Sequence, residues 1–408
     1  MKILLILEAK RKDWYYYLRQ DIENDYFLLW NESKSEIPEL VREDSFFKGI
    51  YYWDKYLTAR DLLVNIKPDR IVFFELIDQR QIALLIIANK KKITTIYLEH
   101  GASADVDGTI YMSQRENYFR NTKLNYLKKR FKTSLVKMVK SKVFYYSSLI
   151  YLNSFSSLLK FVKLPFSMLV YTPNKALQQN KFKERAPKKS IVFNNFNFES
   201  FSTYNDIERD SAVFTGIPFI DKYFNKSVSD SKYIIFIEQA CLEFNLLGWT
   251  HKFHKEMALS LYNFSKKNNL KCYIRLHPTA DLQLWKSYGY ENPLFILSQN
   301  DDFTEELLHS ELILSYSSTL LVGPLCAKKN VVLLGWHPKP TIFGINFSNF
   351  KICHVSFSIT DLEEKYLYWK ENNLAIINDK NYNNFIEAVN SPFDGQASKR
   401  VISEIGRF

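Results

Sequence analysis

The 408-residue chain is predicted to be an α/β protein made of two halves, each built around a parallel sheet. Three observations predict this. Short continuous apolar runs, rather than alternating ones, suit strands covered on both faces. These runs alternate with helix-like stretches, the rhythm of parallel β-α-β units. A turn-rich, mostly polar boundary near residues 215–231 separates two such series of similar size. Hydrophobic residues at 46% and charged residues at 24% exclude a mostly disordered chain, a collagen or a coiled coil.

In order along the chain, residues 2–7 form a buried strand, 14–22 a helix-like stretch and 26–30 a second strand. Residues 70–76 (RIVFFEL) follow Lys67-Pro68-Asp69 as a third strand. Residues 79–89 have helical spacing and end in Lys90, Lys91 and Lys92, where cations suit the helix dipole. A fourth strand over 93–98 runs into Glu99-His100-Gly101. The basic region at 117–142 has Leu124, Leu127, Phe131, Leu135 and Met138 at helical spacing, and Pro165 breaks the apolar stretch at 143–170. Strand 212–214 then enters Thr215-Gly216-Ile217-Pro218. The second series has strands at 233–237, 271–276, 312–315 and 331–334, and helices at 254–267, 302–309, 361–372 and 382–389. Domains are expected at 1–215 and 216–380, each Rossmann-like, with a helical tail at 381–408 packing back on the first.

Charge is uneven. The net charge is +11, yet residues 117–183 hold fourteen Lys or Arg and no Asp or Glu, which leaves the rest of the chain at −3. The basic segment is an insertion in the first half. Its amphipathic pattern fits an anionic membrane surface, and no nucleic-acid motif accompanies it. The four cysteines form no C-x-x-C pair, so a reducing compartment fits. The N-terminal apolar run is too short for a signal peptide, and no stretch predicts a membrane span.

Ligands of parallel α/β sheets bind at the carboxyl ends of the strands, so the residues after each strand are the candidates. Arg275, His277 and Pro278 stand at one strand rim, where a guanidinium and an imidazole suit a phosphate. Ser315, Ser317, Ser318 and Thr319 offer hydroxyls at a helix start, an anion site when combined with free N–H groups. An ordinary cap needs only one of them, and Pro324 suggests the helix starts there instead. Glu238 and Gln239 follow the first strand of the second half, and Gly216 lies in the boundary turn. In the first half Glu99 and His100 are a candidate base and its partner, with Gly101, Asp105 and Asp107 close behind as acceptor-side residues.

RLHP followed by SYSST resembles the His-Pro and Ser-Ser motifs of bacterial sialyltransferases and Kdo transferases, which use CMP-activated sugars and have the GT-B fold. Glu99-His100-Gly101 sits where those families carry an acidic motif. The resemblance implies two Rossmann-like domains facing across a cleft. It implies an inverting transferase needing no metal or cofactor, a nucleotide-sugar donor, and a lipid-linked or oligosaccharide acceptor of capsule or lipopolysaccharide. His277, Ser317 and Ser318 would hold the donor phosphate, and Glu99 or His100 would be the base. A cytoplasmic protein at the inner face of the plasma membrane is expected. His100 departs from the sialyltransferase pattern. His-Gly there instead looks like CDP-glycerol and CDP-ribitol polyol-phosphate transferases of teichoic-acid synthesis. A basic polyanion-binding protein and an inactive glycan-binding scaffold are the non-enzyme alternatives.

Overall fold

The structure is a computed structural model describing residues 1–30, 33–102, 135–229, 231–290, 293–298, 302–316, 318–342, 344–372 and 378–407. Asp105, Asp107, Ser317 and residues 117–134 of the basic segment lie outside the described residues. The chain forms two compact units. The first takes Met1–Gly101, the described part of Arg115–Phe219 and the C-terminal segment from Gln396; the second takes Ile220–Gly395.

The first unit contains seven parallel strands: β1 (Lys2–Ile6), β2 (Asp25–Trp30), β3 (Gly49–Tyr52), β4 (Arg70–Phe73), β5 (Thr94–Leu98), β6 (Lys189–Val192) and β7 (Ala212–Phe214). Their order is β3-β2-β1-β4-β5-β6-β7. The second unit has β8 (Ser231–Ile237), β9 (Lys271–Arg275), β10 (Phe295–Ser298), β11 (Ser310–Ser315), β12 (Val331–Leu334) and β13 (His354–Ser356), in the order β10-β9-β8-β11-β12-β13. Counted within each unit, the second sheet runs 3-2-1-4-5-6, the doubly wound order, and the first runs the same way with a seventh strand added at its end. The strand direction of winding reverses between β1 and β4 in one unit and between β8 and β11 in the other.

Central strands are apolar on both sides because both faces are covered. Leu4, Ile6, Ile71 and Phe73 pack in one core with the helix Gln79–Lys90, and Ile234, Phe236, Leu312 and Leu314 pack with Met257 and Leu261 in the other. Helices start at side-chain caps. Asp78 accepts from Arg80 N–H and forms a reciprocal box with Gln81, while Thr250 caps the helix His251–Lys267, each satisfying amides the first turn leaves open. All four cysteines are buried and unbridged. No helix among the described residues is long and apolar enough to cross a membrane.

Several elements differ from the sequence reading. β3, β6, β10 and β13 are too short or too polar to announce themselves; β6, for example, is Lys-Ser-Ile-Val. The stretch after Trp14 forms short 3-10 turns rather than one helix. At Ser318 a 3-10 turn (Thr319–Leu321) leads directly into the helix Val322–Cys326. Pro324 falls in the first turn of that helix, where no N–H is needed. A Cβ at Gly323 would meet the Tyr223 ring at 2.3 Å, so only glycine lets that ring lie against the helix. The final helix, Ala397–Gly406, belongs to the first unit. Arg70, buried at the start of β4, donates to the carbonyls of Ile405 and Arg407, and Lys189 of β6 pairs with Glu404.

Pro165 does not break its helix. Phe155–Val170 runs straight through it. Proline has no N–H to give to the carbonyl four residues back, and that carbonyl, on Phe161, instead accepts the buried Tyr145 hydroxyl at 2.8 Å. The two rings stack at 4.0 Å. Tyr145→Phe strands the Phe161 carbonyl and is expected to cost about 1–3 kcal/mol in urea unfolding. In a Pro165→Ala background, where residue 165 regains its N–H, the same substitution should cost less. Equal costs in both backgrounds would refute the coupling.

Candidate functional site

Because strands leave the sheets only at their carboxyl ends, polar residues gather there. In the second unit β8 ends at Ile237 and Glu238 follows. Its N–H donates to the Arg275 carbonyl at 2.9 Å, extending the β8–β9 ladder by one step. Its Oε2 accepts the His277 N–H at 2.9 Å. The side chain is 2% exposed, and burial pushes the carboxyl up from its ordinary 4.5 to about 8, against the His277 hydrogen bond and with help from Glu243. Glu238 therefore holds the turn that carries His277, and burial favours its neutral form.

That turn is internally fixed. The Thr279 N–H donates to His277 Nδ1 at 3.2 Å, and the Thr279 hydroxyl lies 2.8 Å from the same nitrogen. A backbone N–H can donate only to an unprotonated nitrogen, so the neutral ring carries its proton on Nε2. The Phe244 ring packs edge-on at 6.0 Å. His277 is half-buried, Pro278 exposed and Arg275 half-buried, with the guanidinium over the Phe303 ring at 5.6 Å. Tyr273, Arg275 and His277 are each half-buried while Cys272, Ile274 and Leu276 are buried, the alternation expected of a strand and its exit.

The serine run divides by role. Ser315 is fully buried and its hydroxyl donates to the Ile237 carbonyl at 3.2 Å, tying β11 to β8 beside Glu238. Ser318 is half-buried and caps the following turn by accepting the Leu320 N–H at 3.2 Å. Thr319 is exposed and Gln239 half-buried. Between the serines Tyr316 is fully buried, with its hydroxyl making no hydrogen bond among the described residues. The structure thus brings Glu238, Arg275, His277, Ser315 and Ser318 to the exits of β8, β9 and β11, which flank the reversal of strand order. Gly216 is not among them. It belongs to the first unit, after β7, with φ +74° and its N–H on the Phe193 carbonyl.

In the first unit Glu99 follows β5 and is 7% exposed. Its Oε1 accepts the N–H groups of His100 (2.9 Å) and Gly101 (3.2 Å), and its Oε2 accepts the Tyr97 hydroxyl at 3.1 Å. Both oxygens thus hold the loop. The Gly101 carbonyl in turn accepts from Asn197 at 2.9 Å. His100 Nδ1 lies 3.7 Å from Glu99 Oε1, and its ring sits 4.0 Å from that of Trp14.

Two acidic residues that the sequence reading missed stand at the neighbouring exits: Glu8 after β1 and Glu75 after β4. Glu8 Oε1 is buried and makes no hydrogen bond among the described residues. Burial pushes the Glu75 carboxyl up; His100 opposes this, and Glu8 and Asp78 reinforce it. Glu75, at the exit of β4, therefore feels the charges of Glu8 at the exit of β1 and of His100 at the exit of β5. The signal was present: each glutamate is the first polar residue after a buried run, in KILLILE and RIVFFE. Among the described residues no cluster of His, Cys, Asp or Glu forms a metal site.

A carboxyl whose pKa rises on folding holds its proton more tightly in the folded state. Its contribution is therefore complete below the unfolded pKa and is lost as pH rises toward the folded one. Glu238→Gln keeps the acceptor for the His277 N–H and has no charge to bury. Its melting temperature relative to the parent is expected to climb between about pH 5 and pH 8. A difference that stays constant with pH would contradict the burial of a titrating carboxyl.

No family model and no curated protein matches the sequence. Among solved structures, the chain is similar to CalG4, the calicheamicin glycosyltransferase, at 12% identity over 100% of this chain and 99% of that one, with a TM-score of 0.52. It is also similar to the UDP-GlcNAc 2-epimerase of Neisseria meningitidis bound to UDP-GlcNAc, at 13% identity over 99% of both chains and a TM-score of 0.51. The UDP-GlcNAc 2-epimerase of Methanocaldococcus jannaschii aligns over 99% of this chain and 98% of that one, at 12% identity and a TM-score of 0.50. With two doubly wound parallel-sheet units and likeness over nearly the whole length, the chain has the GT-B fold.

Proposed function

We propose that the chain is an inverting glycosyltransferase that moves a nonulosonic acid or Kdo from its CMP-activated form to a hydroxyl of a bacterial surface glycan. The observation that carries this reading is the His277 turn. Glu238 and the Thr279 backbone hold an imidazole with its proton on Nε2 at the exit of β9, on the same carboxyl edge of the sheet as the Ser318 turn that follows β11. That is a donor suited to a phosphate oxygen, within the His-Pro and Ser-Ser pattern of the CMP-sugar enzymes.

In this reading the acceptor hydroxyl loses its proton to a base of the first unit and attacks the anomeric carbon with inversion. The bond from that carbon to the phosphate oxygen breaks, and CMP leaves with its new charge met by His277 Nε2–H and Arg275. Glu99 spends both oxygens on its own loop, which favours Glu75 or His100 as the base. A carboxyl raised by burial is a stronger proton acceptor than an ordinary carboxylate. A leaving group with one phosphate calls for no metal or cofactor. The commitment of Glu99 also favours a second reading, in which His100 serves a CDP-glycerol or CDP-ribitol polyol-phosphate transferase.

A donor screen separates the readings. CMP-sialic acid and CMP-Kdo are expected to release CMP when acceptor is present, whereas turnover of CDP-glycerol alone would select the polyol reading. His277→Ala is expected to lower kcat by about a hundredfold or more, the usual worth of one transition-state donor. Near-parental turnover in that variant overturns the assignment. Glu75→Gln should cost far more activity than Glu99→Gln when both are compared at the same folded fraction.

A further inference from the structure

The helix Phe155–Val170 is apolar on two sides. One side packs inward through Phe161, Leu164 and Met168, which belong to the first unit's core. On the other side Phe155, Leu159, Val162, Phe166 and Leu169 recur at intervals of four, three, four and three residues, the spacing of a single helical stripe. All five are exposed, Phe155 at 76% and Phe166 at 61%. From Phe155 to Leu169, fourteen helical rises, this stripe is about 21 Å long. A soluble surface rarely leaves so many large apolar side chains in one row unless something covers them.

The charge beside the stripe names the cover. The helix contains no Asp or Glu, and its charged residues are Lys163, exposed and flanking the stripe, and Lys160, half-buried and farther round the helix. Glu184, near the helix start, is engaged by the Asn153 N–H and the Ser157 hydroxyl. Other lysines of the basic segment act within the unit: Lys137 pairs with Glu36, Lys142 with Gln79, and Lys181 with the Ser202 carbonyl. Apolar rings in a row with cations alongside match a bilayer interface, where side chains enter the acyl boundary and ammonium groups meet anionic headgroups. A protein partner would more commonly meet a polar rim of both signs.

We propose that the exposed stripe of the helix Phe155–Val170 seats the protein on an anionic lipid surface, with Lys160 and Lys163 at headgroup level. This stands independently of the donor assignment. The test is flotation of the full chain with phosphatidylcholine vesicles with and without phosphatidylglycerol. The chain is expected to float with the anionic vesicles and to be released as salt is raised. The double variant Phe155→Glu/Phe166→Glu should lose about tenfold or more of the bound fraction, with melting temperature and sedimentation unchanged. Lys160→Glu/Lys163→Glu should lose binding to the anionic vesicles only. Failure of the parent to float with anionic vesicles overturns the proposal, as does undiminished binding by the Phe variant. A lipid-free dimer that the Phe variant splits also overturns it, because the stripe would then face a second copy of the chain.

Discussion

A strand covered on both faces has little place for an ionisable group except near its ends, where Arg70 and Lys189 enter their strands and the acidic groups follow at the exits. This one constraint arranges the chemistry of both units. β1, β4 and β5 exit into Glu8, Glu75 and Glu99, while β8 and β9 exit into Glu238 and His277. The doubly wound order then brings particular exits side by side, because helices pass to opposite faces on either side of β1 and of β8. The groups that meet there are therefore a consequence of strand order and not of nearness in sequence.

The carboxylates at these exits do different work because their surroundings differ. Glu99 is surrounded by donors: two backbone N–H groups and a tyrosine hydroxyl. Glu238 accepts one N–H and is buried beside Tyr316 and Cys241, with Glu243 near enough to reinforce the upward shift that burial dominates. The first is an anchor for a loop. The second trades charge for position, holding the turn in which Thr279 sets the imidazole's tautomer. Glu75, half-buried with His100 and Glu8 nearby, has its carboxyl pushed up by burial.

Much of the fold was legible because its signals are local. Apolar runs such as KILLI and IVFF mark central strands, and a cap such as Asp78 marks a helix start. Three of the four edge strands, β3, β10 and β13, were not legible, whereas β7 was. Gly49–Tyr52 and His354–Ser356 are only four and three residues long, and their pairing is supplied by the neighbouring strand rather than by their own sequence. Pro165 misled for a related reason. The local rule that proline ends a helix assumes an unsatisfied carbonyl, and Tyr145, twenty residues away, supplies the missing donor.

The site divides in the same way. The sequence alone determined that His277 stands at a strand exit with Arg275 on the same side, because alternation and Pro278 leave no other arrangement. It also determined the concentration of positive charge in 117–183. Only the tertiary structure decided that Ser315 is a buried tie and Ser318 a cap, and that Glu99 is occupied while Glu75 is pushed up by burial. Only it showed which apolar residues of the helix Phe155–Val170 face outward. Each of these depends on which groups from distant parts of the chain arrive within about 3 Å to share a hydrogen bond. A linear pattern specifies which groups exist, and packing specifies which of them are already satisfied.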